Sequence, residues 1–593
     1  MGRGTKSTTL ADLLPRAAQL YGDAPAIRYK EDGAWVSRSF EEVLETVRSL
    51  SLGLLDLGVA KGDKVSILAN TRPEWTYFDF AALSAGAVVV PIYQTNSPEE
   101  CRYVLENSDA KVVVVEDGEQ LEKIRAIRDR LPMLEQVVLM TGSSEDAISI
   151  DELAARGSGR DGAEWEARWS SVTREDVCTF IYTSGTTGPP KGCIISHGNY
   201  RSMLDMVNET SVIEDEEVTY LYLPLAHSFA LLIQLGSFDL GATLAYWERD
   251  PLKIMPNLAE LKPTYFPSVP RIFEKIYTAA TSGMEKEGGL KKAVFDWSIR
   301  VGKRMRETER SGRKPGFLLR KQYEFADKRV LSKIRGLFGG RLRLAVSGAA
   351  PISPEILRFF DAAGVLVLEG WGMTETSTAA TISSPEDFKI GTIGKPFPGC
   401  EVRIAEDGEI LVKGPNVFQG YYKNEEATRE TIVDGWLHTG DIGEIDSDGF
   451  IKITGRKKDI IITAGGKNIT PANLEAEIKQ QPLVSQCVVV GDRRPYLVAL
   501  VTLDPEEVVA YATEHGLPED PEQLAANGDI KAALDAHVEK INQKFARVEQ
   551  VKKIAILPND LSQESGELTP TLKVKRAVVA AKHQPEIEAL YAG

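Results

Sequence analysis

Between Tyr182 and Gly192 the chain reads Tyr-Thr-Ser-Gly-Thr-Thr-Gly-Pro-Pro-Lys-Gly. This loop, Thr183–Gly192, combines hydroxyls, glycines and a lysine at a density that suits one task. Glycines let backbone N–H groups wrap closely around an anion, hydroxyls donate to its oxygens, and Lys191 adds a positive charge. The reading is therefore a phosphate binder. It is not the P-loop of the P-loop NTPases, which requires Gly-Lys-Ser/Thr, whereas here Pro190 precedes the lysine. A plain flexible turn would need neither two hydroxyl pairs nor the cation.

A second chemical group stands in Glu369-Gly-Trp-Gly-Met-Thr-Glu375, where a carboxylate in a glycine-rich loop offers the hard oxygen that Mg²⁺ prefers. Four further segments follow in order with these two: Ser347-Gly-Ala-Ala-Pro351, Asp434-Gly-Trp-Leu-His-Thr-Gly-Asp441, Gly455-Arg-Lys-Lys-Asp459 and Leu568-Thr-Pro-Thr-Leu-Lys-Val-Lys-Arg576. In order and spacing, and over nearly the whole chain, they resemble the adenylate-forming (AMP-binding) superfamily of acyl-CoA synthetases, adenylation domains and firefly luciferase. The resemblance implies that ATP is held by Thr183, Ser184, Gly185, Thr186, Thr187, Gly188 and Lys191. It adds Gly348, Ala349 and Ala350 beside the base, and the run Glu369, Gly370, Trp371, Gly372, Met373 and Thr374. Trp371 stands where the family usually has tyrosine, and either ring can stack on adenine. By the same likeness Thr183 and Glu375 place Mg²⁺ on the phosphates, Asp441 accepts from both ribose hydroxyls, and Arg456 contacts ribose or phosphate.

Lys573 resembles the lysine of the first half-reaction. Attack of a carboxylate on the α-phosphate brings two anions together, and an ammonium near both offsets their repulsion. Leucine precedes it here, where much of the superfamily has glycine, and Leu-Thr-Pro-Thr-Leu-Lys resembles the long-chain fatty acyl branch. Lys575 and Arg576 read as structural or solvating. For transfer of the acyl group to coenzyme A, Lys458 matches the family's hinge, and Gly465, Gly466 and Lys467 resemble the loop that lines the pantetheine tunnel after domain rotation. His227, in Leu223-Pro-Leu-Ala-His-Ser-Phe229, matches a position near the acyl carbonyl, with positioning and gating as its role. Phe229 and Leu231 are expected in the acyl pocket with Leu232 and Leu235, although a buried helix would look the same. His197 reads as structural, and His515, His537 and His583 as surface residues.

These groups need a frame. Runs such as Lys64-Val-Ser-Ile-Leu, Lys111-Val-Val-Val-Val, Val177-Cys-Thr-Phe-Ile-Tyr and Leu342-Arg-Leu-Ala-Val, separated by amphipathic stretches, predict parallel sheets covered on both faces. Ser97-Pro98, Ser353-Pro354 and Thr470-Pro471 each put a hydroxyl before a proline, a helix-start signal. With 593 residues, more than one domain is expected. The expected class is α/β: a large N-terminal domain over 1–455, made of stacked α/β subdomains and a β-barrel-like part, then a small mobile C-terminal α/β domain over 456–593.

A net charge of −16 argues against nucleic acid as a partner. Five scattered cysteines without CxxC spacing read as reduced thiols in a cytoplasmic protein, with no zinc site. No secretory leader or membrane-spanning run is legible, and the Met-Gly start is a weak myristoylation match. One segment inverts the charge. Between Lys291 and Arg343 there are 17 Lys/Arg and five Asp/Glu, interleaved with Val294, Phe295, Trp297, Ile299, Phe317, Leu318, Phe325 and Leu331. It reads either as a helical contact with an anionic membrane surface, on the inner face, or as a solvated insertion. It also resembles the insertion of the long-chain branch. The expected reaction is fatty acid–CoA ligation with ATP, Mg²⁺ and coenzyme A. A ligase loading a carrier protein, a luciferase-like oxygenase and a catalytically silent lipid-binding scaffold stay open.

Overall fold

The computed structural model describes residues 4–183, 189–210, 212–464, 467–569 and 573–592. Two large sheets carry the N-terminal part. One runs in the order Gly420–Tyr421, Lys191–Ser196, Val177–Thr183, Val88–Ile92, Lys64–Leu68, Ala110–Val115, Gln136–Leu139, Ile148–Ser149. It is parallel from Val177–Thr183 onward, and Lys191–Ser196 and Gly420–Tyr421 add antiparallel at its edge. The other centres on the parallel strands Pro25–Glu31, Thr243–Tyr246, Val218–Leu221, Tyr265–Ser268, Leu344–Ser347 and Val367–Trp371. All four runs marked in the sequence contribute strands to these sheets, the last only from Leu344, with Leu342 and Arg343 ahead of it.

The largest apolar cluster lies between the two sheets. It joins Val65, Ile67, Val112 and Val114 of one sheet to Leu221, Leu244 and Leu344 of the other, through helices Phe40–Asp56, Pro73–Ser84, His197–Thr210 and Ser228–Leu240. Separate clusters cover each sheet's far face. That layering is why Val88–Ile92 and Leu344–Ser347 are buried at every position instead of alternating. Helix starts follow the sequence signals with one exception. Ser97 makes a full capping box and Ser353 accepts from Glu355 N, but Thr470 precedes its helix without a side-chain cap.

The part expected to be barrel-like is a five-stranded antiparallel sheet of Glu401–Ile404, Glu409–Lys413, Ile432–Val433, Trp436–Ile445 and Ile451–Arg456. Its last two strands meet at the Asp446–Gly449 turn, where Asp446 Oδ1 accepts from Asp448 N and Phe450 N. Beyond Arg456 a smaller unit has its own core. Strands Val484–Val490, Leu497–Leu503 and Val551–Leu557 pack against helices Pro471–Ile478, Pro505–His515 and Gly528–Asn542. Among the described residues no helix is long and apolar enough to cross a membrane.

Candidate active site

The parallel strands aim their carboxyl ends at one place, where loops leaving the strands can hold a ligand. Thr183 ends Val177–Thr183, Ser347 ends Leu344–Ser347, Trp371 ends Val367–Trp371, and His227 lies six residues past Leu221. Ser184, Gly185, Thr186, Thr187 and Gly188 fall outside the described residues. The stem of their loop is described. Thr183 pairs with Lys191 across the antiparallel hairpin, and Tyr182 OH donates to Asn107 Oδ1 at 2.7 Å. Lys191 Nζ sits 5.0 Å over the ring of Tyr421, whose hydroxyl donates to Glu375 Oε1 at 2.7 Å. The phosphate-loop lysine and the candidate metal ligand are thus linked through one tyrosine.

Glu375 occupies a 3₁₀ turn, Thr374–Thr376, directly after the strand that ends at Trp371. It is buried, its backbone carbonyl accepts from Phe418 N, and its Oε2 has no hydrogen-bond partner among the described residues. Ser377 and Thr378 follow with φ of 48° and 102°, a strained backbone for side chains with a Cβ. Gly372 cannot carry a Cβ here, because it would run into the carbonyl of Thr378. Ala349, with φ of 66°, marks similar strain in the segment after Ser347. Phe229 packs on that segment: a Cβ on Gly348 would stand 3.4 Å from its ring.

Asp441 is buried on strand Trp436–Ile445, opposite Arg456 in register. Arg456 Nε donates to its Oδ1 at 2.9 Å, and Trp371 Nε1 donates to its Oδ2 at 2.8 Å. Trp371, expected beside the base, is therefore tied to the candidate ribose ligand. The Asp441 charge raises the pKa of Arg456 above its ordinary value.

Lys573 comes in from the smaller unit on a tight loop. Thr569 N donates to Lys573 O at 2.8 Å, Lys573 N donates to Thr569 Oγ1 at 3.0 Å, and Leu568 bridges Val574. Residues 570–572 lie outside the described residues. Burial and the nearby Arg456 charge push the Lys573 ammonium down to about 8, against the opposing pull of Asp441 and Glu375. His227 feels the same cation. Burial first, then Lys573, lower its pKa to about 3. Its Nδ1 accepts from Phe229 N at 3.2 Å and caps helix Ser228–Leu240, so the neutral ring carries its proton on Nε2. Leu231, one turn along, is buried in the main cluster.

Lys458 lies exposed in the turn after Arg456, and Lys467 is exposed with its backbone bonded to Thr463. Gly465 and Gly466 lie outside the described residues. His197 is structural, its Nδ1 accepting from Leu10 N at 3.1 Å. Two of the histidines expected at the surface are not simply solvated. His583, at the junction of helices Arg576–Lys582 and Gln584–Tyr591, lies 2.7 Å from Glu567, and His537, on helix Gly528–Asn542, bonds the Glu477 carbonyl, because the fold packs each side chain against a neighbouring acceptor. All five cysteines are buried and unpaired.

Two residues were not found by sequence reasoning. Tyr421 carries the link to Glu375, and its only signal was aromatic crowding around Gly420, whose φ is 130°. Glu475 takes both guanidinium nitrogens of Arg576, Nη1 at 2.6 Å, and also accepts from Val489 N at 2.7 Å. It offered no sequence signal at all. Among the described residues no three His, Cys, Asp or Glu side chains converge as a closed metal cage. One carboxylate with an unused oxygen beside a phosphate loop nevertheless fits Mg²⁺, which keeps several waters and takes its remaining ligands from phosphate.

Comparison with known proteins agrees with this arrangement. Residues 14–422 match the AMP-binding enzyme family and residues 458–593 match the AMP-binding enzyme C-terminal domain. The chain is 42% identical over 570 residues to the long-chain-fatty-acid–CoA ligase FadD15 of Mycobacterium bovis, covering 94% of this chain and 93% of the relative. It is 33% identical to the long-chain-fatty-acid–CoA ligase ACSBG2 of Xenopus laevis, over 98% and 84% of the two chains. Among solved structures, the anthranilate CoA ligase AuaEII in complex with anthranoyl-AMP superposes with a TM-score of 0.71 at 22% identity, over 97% of both chains. A fatty acyl CoA synthetase of Mycobacterium tuberculosis gives 0.62 at 23%, over 98% and 99%. With both of its parts matched in order, the chain belongs to the AMP-binding enzyme family, alongside its long-chain fatty-acid–CoA ligases.

Proposed function

We propose that the protein is a long-chain fatty acid–CoA ligase working in two half-reactions. In the first, a carboxylate oxygen of the fatty acid attacks the α-phosphorus of ATP, and pyrophosphate leaves as the acyl-adenylate forms. In the second, the thiolate of coenzyme A attacks the acyl carbon, the acyl–phosphate bond breaks, and AMP leaves.

The observation that carries this reading is Lys573, brought from the smaller unit to the electrostatic reach of Glu375, Asp441, Arg456 and His227. That placement suits the first step, because an ammonium beside the metal and ribose candidates would offset the repulsion between carboxylate and α-phosphate. His227 is neutral near pH 7 and presents an Nε2–H donor, so it orients the acyl carboxylate without adding charge. Asp441 retains lone pairs for the ribose hydroxyls after binding Trp371 and Arg456. Thr183 and Glu375 would hold Mg²⁺, which when bound screens the phosphate charge.

For the second step we place the domain boundary at Gly455/Arg456 and the pivot at Lys458. Rotation there would withdraw Lys573 and bring Gly465, Gly466 and Lys467 to the site. Peripheral contact of segment 291–343 with an anionic membrane belongs to the same reading, since the acid to be activated is a lipid. Pyrophosphate release measured over fatty acids of graded length, with and without coenzyme A, tests the assignment. CoA-dependent thioester formation with long chains is expected. Adenylate formation that never yields a thioester, or no turnover at all, would overturn it.

A further inference from the structure

The fold turns most of the apolar residues of the basic segment inward. Phe295 and Leu331 are buried, and Trp297, Ile299 and Val330 pack around Val301, Ala326 and Leu331. Phe317 and Leu318 are left outside. They form the first turn of helix Phe317–Ala326, are 72% and 70% exposed, and join no apolar cluster. Phe325 lies two turns on from Leu318 along the same face, 49% exposed, with its ring 5.9 Å from Trp297. A single exposed leucine is ordinary, but two adjacent large apolar side chains with a third on the same face form a patch.

The surroundings of that patch are cationic. Between Ser311 and Lys333 stand seven Lys/Arg against Glu324 and Asp327, in a chain whose net charge is −16. Both acids are already answered, Glu324 by Lys321 and Asp327 by Arg335. Arg313, Lys314, Lys328 and Lys333 make no salt bridge with any described residue. Arg329 lies over the Phe325 ring at 5.4 Å, keeping its charge at the patch. Positive side chains ringing exposed Phe and Leu match two features of one partner, an anionic headgroup layer and the hydrocarbon beneath it. A nucleic acid would use the charge and leave the apolar pair without a role. A second copy would set like charge against like across a symmetric contact.

We propose that the edge made by Phe317, Leu318 and their flanking cations docks the protein on an anionic phospholipid bilayer, with Phe317 and Leu318 inserting below the headgroups. This deepens the membrane reading above by naming its contact residues. Its binding readout uses no fatty acid, ATP or coenzyme A, so its failure and that of the ligase reading are separable.

The full chain is sedimented with vesicles of phosphatidylcholine alone or with one third phosphatidylglycerol. Binding is expected only to the anionic vesicles, and it should fall in high salt. F317S/L318S should weaken it by about tenfold or more, while R313Q/K314Q should weaken it by about fivefold per charge removed. Both double variants should keep wild-type ligase activity on dispersed substrate, because neither lies at the catalytic site. In a separate F317W variant, indole emission should shift to the blue on anionic vesicles. Equal binding of wild type and F317S/L318S would overturn the proposal, as would equal binding to both vesicle types. A dimer that F317S/L318S dissolves, without vesicle binding, would overturn it in favour of a second copy.

Discussion

Trp371 donates its indole N–H to Asp441 across 2.8 Å, joining the end of a central parallel strand to the antiparallel sheet that carries Arg456. Removing one donor from a buried carboxylate costs about 1–3 kcal/mol when the acceptor is left unsatisfied. Trp371→Phe keeps an aromatic ring and deletes only the donor. The expected result is a KM for ATP raised by roughly 5- to 100-fold, with kcat for a saturated enzyme changed much less. A kcat loss at unchanged KM would mean that the indole serves the chemical step and not the nucleotide.

Lys573 gives the reaction a pH limb. Its charged form persists in the free enzyme only below about 8, so kcat/KM for adenylation should fall as pH rises through that value. Bound ATP adds negative charge beside it, which moves the corresponding limb of kcat to higher pH. The stability consequence has the opposite direction from a salt-bridged group. The folded pKa lies below the ordinary value of 10.5, so the folded state carries an ammonium whose burial Asp441 and Glu375 only partly offset at neutral pH, and that cost is relieved between about 8 and 10.5. Lys573→Met should abolish adenylate formation, spare CoA attack on supplied acyl-adenylate, and raise Tm at pH 7 but not above pH 10.5. A Tm gain that persists unchanged at the higher pH would refute the linkage. No limb between pH 5 and 8 is expected from His227, because its folded pKa is about 3.

The groups proposed to hold nucleotide were legible because chemistry restricts them locally: Thr183, Lys191, Glu375 and Asp441 each sit inside a contiguous run whose residue types make sense together. The strands were legible because burial on both faces removes polar positions from Lys64–Leu68 or Leu344–Ser347. Tyr421 and Glu475 were not, because each acts on a partner far away in sequence, 46 and 101 residues off. A lone tyrosine or glutamate at such separation has no pattern to betray it. The basic segment was half legible. Composition gave its charge, but only packing divides Phe295, which is buried, from Phe317, which is not.

Glu475 fixes the Lys573 loop from behind. It binds Arg576, three residues after the lysine, while Arg576 also faces Asp459 at 3.9 Å, beside the proposed pivot. Removing one partner of a pair this buried costs about 3–5 kcal/mol. Glu475→Gln keeps the shape and one acceptor but loses the charge, so a smaller stability loss is expected with a clear defect in adenylation. The thioester step from supplied acyl-adenylate should be spared, since the role proposed for Lys573 ends with adenylation. Equal loss in both half-reactions would show that the pair merely holds the smaller unit folded.

The two units also touch away from the chemistry. Arg271, on helix Pro270–Glu287, donates to Asp504 Oδ2 at 2.6 Å, and Lys275 lies 3.2 Å from Glu506, both acids at the start of helix Pro505–His515. Gln480 Nε2 donates to Ser353 Oγ at 3.0 Å beside them. All three contacts are made in the arrangement that holds Lys573 at the site, so under the proposed rotation they should favour this arrangement over the rotated one. The Lys275–Glu506 pair is exposed and contributes little, within about 1 kcal/mol, whereas Asp504 is buried and its pairing weighs more. Arg271→Ala should therefore slow adenylation severalfold and leave the thioester step unchanged or faster. Combined with Asp504→Asn, it should cost little more than either change alone, the signature of a single contact. Independent, additive losses in both half-reactions would mean that Arg271 and Asp504 support their own units and do not hold the two together.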